Sequence, residues 1–99
     1  MQAPPDEVVV GVDTHADTHT AVAVDGLGRV LDTIEIPAEA AGYRRLVRWA
    51  QGHGEWTRAG VEGTGAYGAG LARHLAEAGV EVIEVDRPNR QRRRRRGKS

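Results

Sequence analysis

The fold is organised around one apolar run that ends in a carboxylate, Val8-Val9-Val10-Gly11-Val12-Asp13. Four valines and a glycine without polar alternation predict a short central strand that is covered on both faces. The first polar side chain after the run is Asp13. Because α/β folds bind ligands at the carboxyl ends of their central strands, this acid is a candidate site residue.

A second segment repeats this pattern. The run Thr57-Arg58-Ala59-Gly60-Val61-Glu62 predicts a strand that stops at Glu62 and breaks into Gly63-Thr64-Gly65. Neighbouring strands lie about 4.8 Å apart. If these two strands are neighbours, Asp13 and Glu62 lie close enough to share a metal ion.

Length and composition limit the number of domains and the kinds of site that the chain can form. Its 99 residues are enough for one small domain with a single modest core. The absence of cysteine excludes disulfides, thiolate zinc sites and a cysteine nucleophile. Residues 1–7 do not resemble a signal peptide, and no run approaches the roughly 20 apolar residues that cross a bilayer. We therefore expect a soluble, cytoplasmic protein without a membrane partner.

The net charge of zero hides an uneven distribution. Residues 1–86 carry six basic and 14 acidic side chains, a formal charge of −8. Residues 87–99 contain no acid, and a run of arginines there can neutralise several phosphates. The alternative is a solvated tail. The candidate nucleic-acid-binding residues are Arg87, Arg90, Arg92, Arg93, Arg94, Arg95, Arg96 and Lys98.

Hydrophobic periodicity predicts the order β-β-β-α-β-α-β. The predicted strands cover residues 8–12, 20–24, 29–36, 57–62 and 80–85, and the predicted helices cover residues 39–51 and 64–78. The first three strands form an antiparallel meander, and right-handed crossovers then give the spatial order 3-2-1-4-5. Asp13 and Glu62 flank the point where the winding direction changes. Residues 1–7 are expected to be disordered, residues 8–86 to form the domain and residues 87–99 the basic tail.

Each predicted helix has an apolar stripe at helical spacing. We predict Thr64 as the N-cap of the second helix and Gly79 as the residue just after its end. The stripe of the first helix comprises Tyr43, Leu46, Val47 and Ala50, and that of the second comprises Tyr67, Leu71, Leu75 and Ala78.

Two carboxylates at adjacent strand ends form a hard-oxygen site that suits Mg²⁺ or Mn²⁺. A pair of such ions supports phosphodiester cleavage, but a site of this kind usually needs three or four acids. The alternative is a solvated Asp13 and a Glu62 paired with an arginine. The turn Gly63-Thr64-Gly65 offers backbone amides to a phosphate, or is simply a structural turn.

The histidines are weaker candidates for a metal site. His15 and His19 have the spacing of zinc ligands only on a helix, whereas residues 14–19 resemble a turn. Asp17 is interpreted as a turn residue. His53 and His74 are interpreted as structural residues without a nearby partner.

Three ordered motifs resemble the amino-terminal domain of DEDD insertion-sequence transposases, relatives of the Piv invertases. The motifs occupy residues 10–19, residues 61–68, and residues 85–90 with the arginine run and Gly97-Lys98-Ser99. The resemblance implies a RuvC-like ribonuclease H fold in which Asp13 and Glu62 are the first D and the E of a metal-binding tetrad. It also implies DNA as substrate, a structured guide RNA as a further partner, and homo-oligomers of the full-length protein.

In that family the last two aspartates follow the Gly-Lys-Ser segment on a closing helix, and a separate domain carries a catalytic serine. The chain is therefore expected to be a truncated product or fragment of a transposase. It would hold Mg²⁺ weakly through half a site and would be inactive alone. Two other readings stay open: an actin-like or sugar-kinase ATPase lobe, which would bind ATP through Asp13, and a non-catalytic nucleic-acid-binding module.

Overall fold

The computed structural model describes residues 7–85 as five strands and two helices. The strands are β1 (Glu7–Thr14), β2 (Thr18–Asp25), β3 (Val30–Pro37), β4 (Glu55–Glu62) and β5 (Glu81–Val85), and the helices are α1 (Ala40–Gln51) and α2 (Ala69–Glu77). Neither helix is long and apolar enough to cross a membrane in this part of the chain.

The five strands form one mixed sheet in the order β3-β2-β1-β4-β5. The pairs β1–β2 and β2–β3 are antiparallel, whereas β1–β4 and β4–β5 are parallel. The predicted order is confirmed, and so is the α/β, ribonuclease H-like class that the resemblance implied. The meander followed by two right-handed crossovers requires this arrangement.

The core lies between one face of the sheet and the two helices. Alternate residues of each central strand point to this face, because successive side chains of a strand point to opposite sides. Leu46 of α1 and Leu71 and Leu75 of α2 are fully buried against them. The buried apolar strand residues are Val8, Val10, Val12, Ala21, Ala23, Ile36, Trp56, Ala59 and Val61.

No helix of residues 7–85 covers the opposite face of the sheet, which we call the open face. Val9 and Val22 are half-buried there, and Ile83 and Val85 are 45% and 43% exposed. The prediction of a central strand covered on both faces is therefore wrong for the described residues.

Helix α1 forms as predicted, but α2 begins at Ala69 instead of Thr64. Gly68 is its N-cap residue, and no side chain caps it, so the prediction for Thr64 is wrong. Residues 63–68 form a loop that closes on itself, because the Gly68 N–H donates to the Gly63 carbonyl over 2.8 Å. Three glycines in this loop disfavour helix.

The end of α2 follows the sequence prediction. Gly79 has a φ of 88° and donates its N–H to Ala76, and the Val80 N–H donates to the Leu75 carbonyl. These two bonds define a Schellman motif, which favours glycine because of its left-handed backbone conformation. Ala78, however, is exposed, so it is not part of the apolar stripe.

The turn between β1 and β2 is tighter than predicted. β1 continues through Thr14, β2 begins at Thr18, and Thr14 pairs with His19 across the two strands. His19 is therefore a strand residue. Because partners in an antiparallel pair share a face, His19 points toward the helices together with Thr14.

Candidate metal centre

Asp13 and Glu62 lie side by side at one edge of the sheet. Val12 and Val61 are paired in the parallel β1–β4 register, and the two acids are the next residue of each strand. Both acids line one cavity of about 290 Å³ on the open face. The structure thus brings together the two acids that lie 49 positions apart in the sequence.

Small and apolar residues form the rest of this cavity. Gly11 and Gly60 face each other across β1 and β4, with Thr20, Val22 and Val85 around them. The Asp13 side chain is 54% exposed, and Glu62 is half-buried. An incoming ion or phosphate can therefore approach the pair from solvent.

Thr14 connects the two strand ends that carry the acids. It is fully buried, and its hydroxyl donates a hydrogen bond of 2.9 Å to the Glu62 carbonyl. This bond holds the ends of β1 and β4 together beyond the paired valines. Thr14 is not among the predicted site residues. Strand alternation nevertheless predicts that it faces the core, because it is one residue after Asp13.

His15 is the nearest histidine to the acid pair. Its Nε2 lies 3.4 Å from an Asp13 carboxylate oxygen, and both side chains are more than half exposed. His19, in contrast, is buried on the helix side of the sheet. Within residues 7–85 no group of three metal-ligating side chains is present.

The donor set fits a hard divalent cation but does not complete its site. Two carboxylates suit Mg²⁺ or Mn²⁺, which keep several water ligands when few protein groups bind them. Gly63 follows Glu62 with a φ of 65°, and Thr64 and Gly65 continue the loop at the same edge of the sheet.

With this geometry, comparison with known proteins identifies the family. A family model for DEDD transposases of the IS110 type, described as "Transposase", matches residues 10–99. The chain belongs to this transposase family. The match covers the strands that carry both acids, and it extends over the basic residues 87–98, which lie outside the described residues.

The crystal structure of the ethanolamine utilization protein EutJ from Carboxydothermus hydrogenoformans is similar to this transposase domain, with a TM-score of 0.49 and 21% sequence identity. The similarity covers 85% of this chain, and the chain spans 37% of the length of that protein. No curated protein matches the chain.

A buried aromatic cluster lies on the helix side of the same edge of the transposase domain. His19 is fully buried and stacks on Tyr43 of α1, with the ring centroids 6.0 Å apart and the planes 3° from parallel. The Tyr43 ring also contacts His74 of α2, at 5.7 Å. The expectation that His74 has no nearby partner is therefore wrong.

Neither ring nitrogen of His19 makes a hydrogen bond within residues 7–85. Burial lowers the pKa of His19 below its ordinary value of 6.5, and the charge of His15 lowers the pKa further, while the Thr18 backbone offsets part of the decrease. Burial thus disfavours the protonated form of His19 in the folded state. Strand alternation with Ala21 and Ala23 puts His19 on the helix side of the sheet, but its complete burial depends on where α1 and α2 pack.

We expect folding stability to fall in mild acid because of His19. Below its unfolded pKa of about 6.5, the unfolded chain binds a proton that the folded chain does not, at a cost of up to about 1.4 kcal/mol per pH unit. The stabilisation is complete above that pH and is lost as the pH falls toward the folded pKa. Urea unfolding at a series of pH values between 7.5 and 5.5 measures the effect.

The matched variant is His19→Leu, which should reduce this pH dependence. At the higher pH it should be as stable as the wild type or up to about 1 kcal/mol more stable, because it removes a buried polar group without a partner. The titratable groups around His19 are Tyr43, which stacks on it, His15, whose charge acts on it, and His74, which contacts Tyr43. Equal pH dependence in the two proteins would show that His19 does not cause the acid effect.

A second cluster of side chains surrounds the Asp32 carboxylate. His53 was expected to have no nearby partner, but its Nε2 lies 3.1 Å from Asp32, and its ring packs edge-on against Trp49. The Trp49 indole N–H donates to the same carboxylate over 3.0 Å. This bond is the main reason why the pKa of Asp32 is lowered. The cluster fixes α1 to the edge strand β3, far along the sheet from the acid pair.

Proposed function

We propose that this transposase domain contributes Asp13 and Glu62 to a Mg²⁺ or Mn²⁺ site for DNA strand cleavage and exchange. The observation that carries the proposal is the position of the two acids, which end adjacent parallel strands and line one open cavity. Since only two acids meet there within residues 7–85, further ligands are needed for a tight site.

The protein's part in this chemistry is positioning and electrostatics. Asp13 and Glu62 would hold the cation, and the Thr14 hydroxyl fixes the Glu62 backbone relative to β1. A bound divalent cation would stabilise charge that develops on a phosphodiester oxygen and would orient the attacking oxygen. His15, next to Asp13, can donate a hydrogen bond to an approaching phosphate.

The basic residues 87–98 are proposed to contact the nucleic acid backbone. The described part of the chain ends at Val85, which pairs with Glu62 in the β4–β5 register and so lies at the edge that carries the acids. Contacts of this type supply affinity without reading sequence. DNA is the proposed partner, with a structured guide RNA and a second copy of the chain as further proposed partners.

The metal site can be tested without measuring cleavage. Mn²⁺ added to the ¹⁵N-labelled chain should broaden the amide signals of residues 12–14 and 61–63 before any others, because paramagnetic broadening falls steeply with distance. Asp13→Asn and Glu62→Gln should each weaken this effect about tenfold, since each removes one of the two anionic ligands.

The matched control is Glu35→Gln. Glu35 pairs with Thr20 across β2 and β3, so it lies on the open face at the same level of the sheet but two strands away from Asp13. In this variant Mn²⁺ should broaden the same amide signals as in the wild type, to the same extent. Broadening that starts elsewhere in the chain, or that survives in the Asp13→Asn, Glu62→Gln double variant, would disprove a metal site at this edge.

A further inference from the structure

Tyr67 is a large aromatic side chain left in solvent on the loop that follows Glu62. It is 57% exposed, whereas Tyr43, Trp49 and Trp56, which complete the tyrosines and tryptophans of the chain, are buried or half-buried. The prediction that Tyr67 belongs to the apolar stripe of α2 is therefore wrong. An exposed aromatic ring contributes nothing to the core and remains available for a ligand.

The loop that carries Tyr67 begins directly after Glu62 and is well anchored. Backbone hydrogen bonds run from Ala66 and Gly68 to the Gly63 carbonyl, over 2.9 and 2.8 Å. Gly68 packs so closely on the loop entrance that a Cβ there would lie 2.6 Å from the Glu62 carbonyl oxygen. Because consecutive Cα atoms are about 3.8 Å apart, the Tyr67 backbone lies within roughly 8 Å of that oxygen.

Tyr67 is also the only loop side chain that can reach beyond the loop. Its neighbours are glycines, an alanine and a threonine, which leave the ring unobstructed (Gly63, Thr64, Gly65, Ala66 and Gly68). A ring on an anchored loop loses little conformational freedom on binding. This arrangement suits a flat apolar partner next to a phosphate.

We propose that Tyr67 stacks on an unpaired nucleobase of the DNA strand whose phosphate lies at Asp13 and Glu62. Bases along one strand are spaced by about 3.4 Å when stacked, so a base one or two nucleotides from that phosphate is within reach of the loop. Stacking on an aromatic ring tolerates any base, and it positions the strand without reading its sequence. This inference rests on the proposed function, because it places DNA at the acid pair.

The test measures DNA binding by the 99-residue chain. Fluorescence anisotropy with a labelled single strand of about 12 nucleotides gives the affinity in roughly 50 mM salt. Tyr67→Ala and Tyr67→Leu should each weaken binding by about 5- to 100-fold, and Tyr67→Phe should bind within about twofold of the wild type. The control Leu27→Ala removes an apolar side chain that is 79% exposed in the β2–β3 turn, and it should leave binding unchanged.

A second probe isolates the base. On a strand of the same length built from abasic sites, the wild type and Tyr67→Ala should bind equally, because the charges remain and the stacking partner is gone. Equal binding of these two proteins to the normal strand would overturn the inference while leaving DNA binding intact. Wild-type affinity in Tyr67→Leu would also overturn it, since leucine keeps apolar bulk without an aromatic face. If the wild type binds neither strand, the nucleic-acid part of the proposed function fails as well.

Discussion

Replacing Gly42 with alanine should destabilise the domain by about 3 kcal/mol, although alanine is the better helix former by roughly 1 kcal/mol. Gly42 lies in the first turn of α1, where the helix crosses the end of β3. A Cβ there would overlap the Pro37 carbonyl oxygen and lie 3.0 Å from the Pro37 Cγ. The overlap is with backbone at the junction of a strand and a helix, so no side-chain rotation can relieve it.

Urea unfolding followed by circular dichroism measures this loss. The control is Ala41→Gly at the neighbouring exposed position, which should cost only about 1 kcal/mol through helix propensity. A loss of about 3 kcal/mol is a large share of the 5–15 kcal/mol typical of a domain. A Gly42→Ala protein as stable as the wild type would show that α1 does not approach β3 this closely.

Gly68→Ala is expected to have the second-largest effect, about 2 kcal/mol of stability together with weaker Mn²⁺ binding. Its φ of −86° suits alanine, so the cost is purely steric. The new Cβ would lie 2.6 Å from the Glu62 carbonyl oxygen and 3.0 Å from the Gly63 carbonyl oxygen. Because Thr14 donates to the same Glu62 carbonyl, relief of the overlap must shift the residue that carries the acid.

The matched control lies three residues away in the same loop. A Cβ on Gly65 would meet nothing within 4 Å, so Gly65→Ala should have the same stability and the same Mn²⁺ binding as the wild type. Unfolding midpoints and Mn²⁺ broadening of residues 12–14 provide the two readouts. Loss of stability without any change in broadening would mean that the loop and the proposed metal centre are independent.

The three-stranded meander and the central parallel pair followed from local patterns. The valine run of β1 and the glycines near residue 28 favour strand and turn by themselves. Once the strands were placed, the right-handed crossover rule left one sheet order, and this order put Asp13 next to Glu62. That juxtaposition could be predicted because it depends on topology and not on side-chain packing.

The helix boundaries show where local patterns fail. Leu71 and Leu75 predict the correct buried face of α2, but the spacing of Tyr67 also fits a helix and wrongly includes it in the stripe. In the structure α2 begins only after Gly68, because the backbone of Gly68 passes close to the Glu62 carbonyl oxygen. The start of α2 therefore depends on a contact between the end of β4 and the loop of residues 63–68. The spacing of apolar residues cannot predict such a contact.

The amino-acid sequence alone determined the order of the elements, the sheet topology and the pair of acids, because these depend on periodicity and chain connectivity. Only the tertiary structure decided that His19 is buried, that Asp32 joins Trp49 to His53, and that Tyr67 stays in solvent. Each of these outcomes depends on contacts between segments distant along the chain. Their energies come from packing and desolvation, which a residue acquires only when its neighbours are in place.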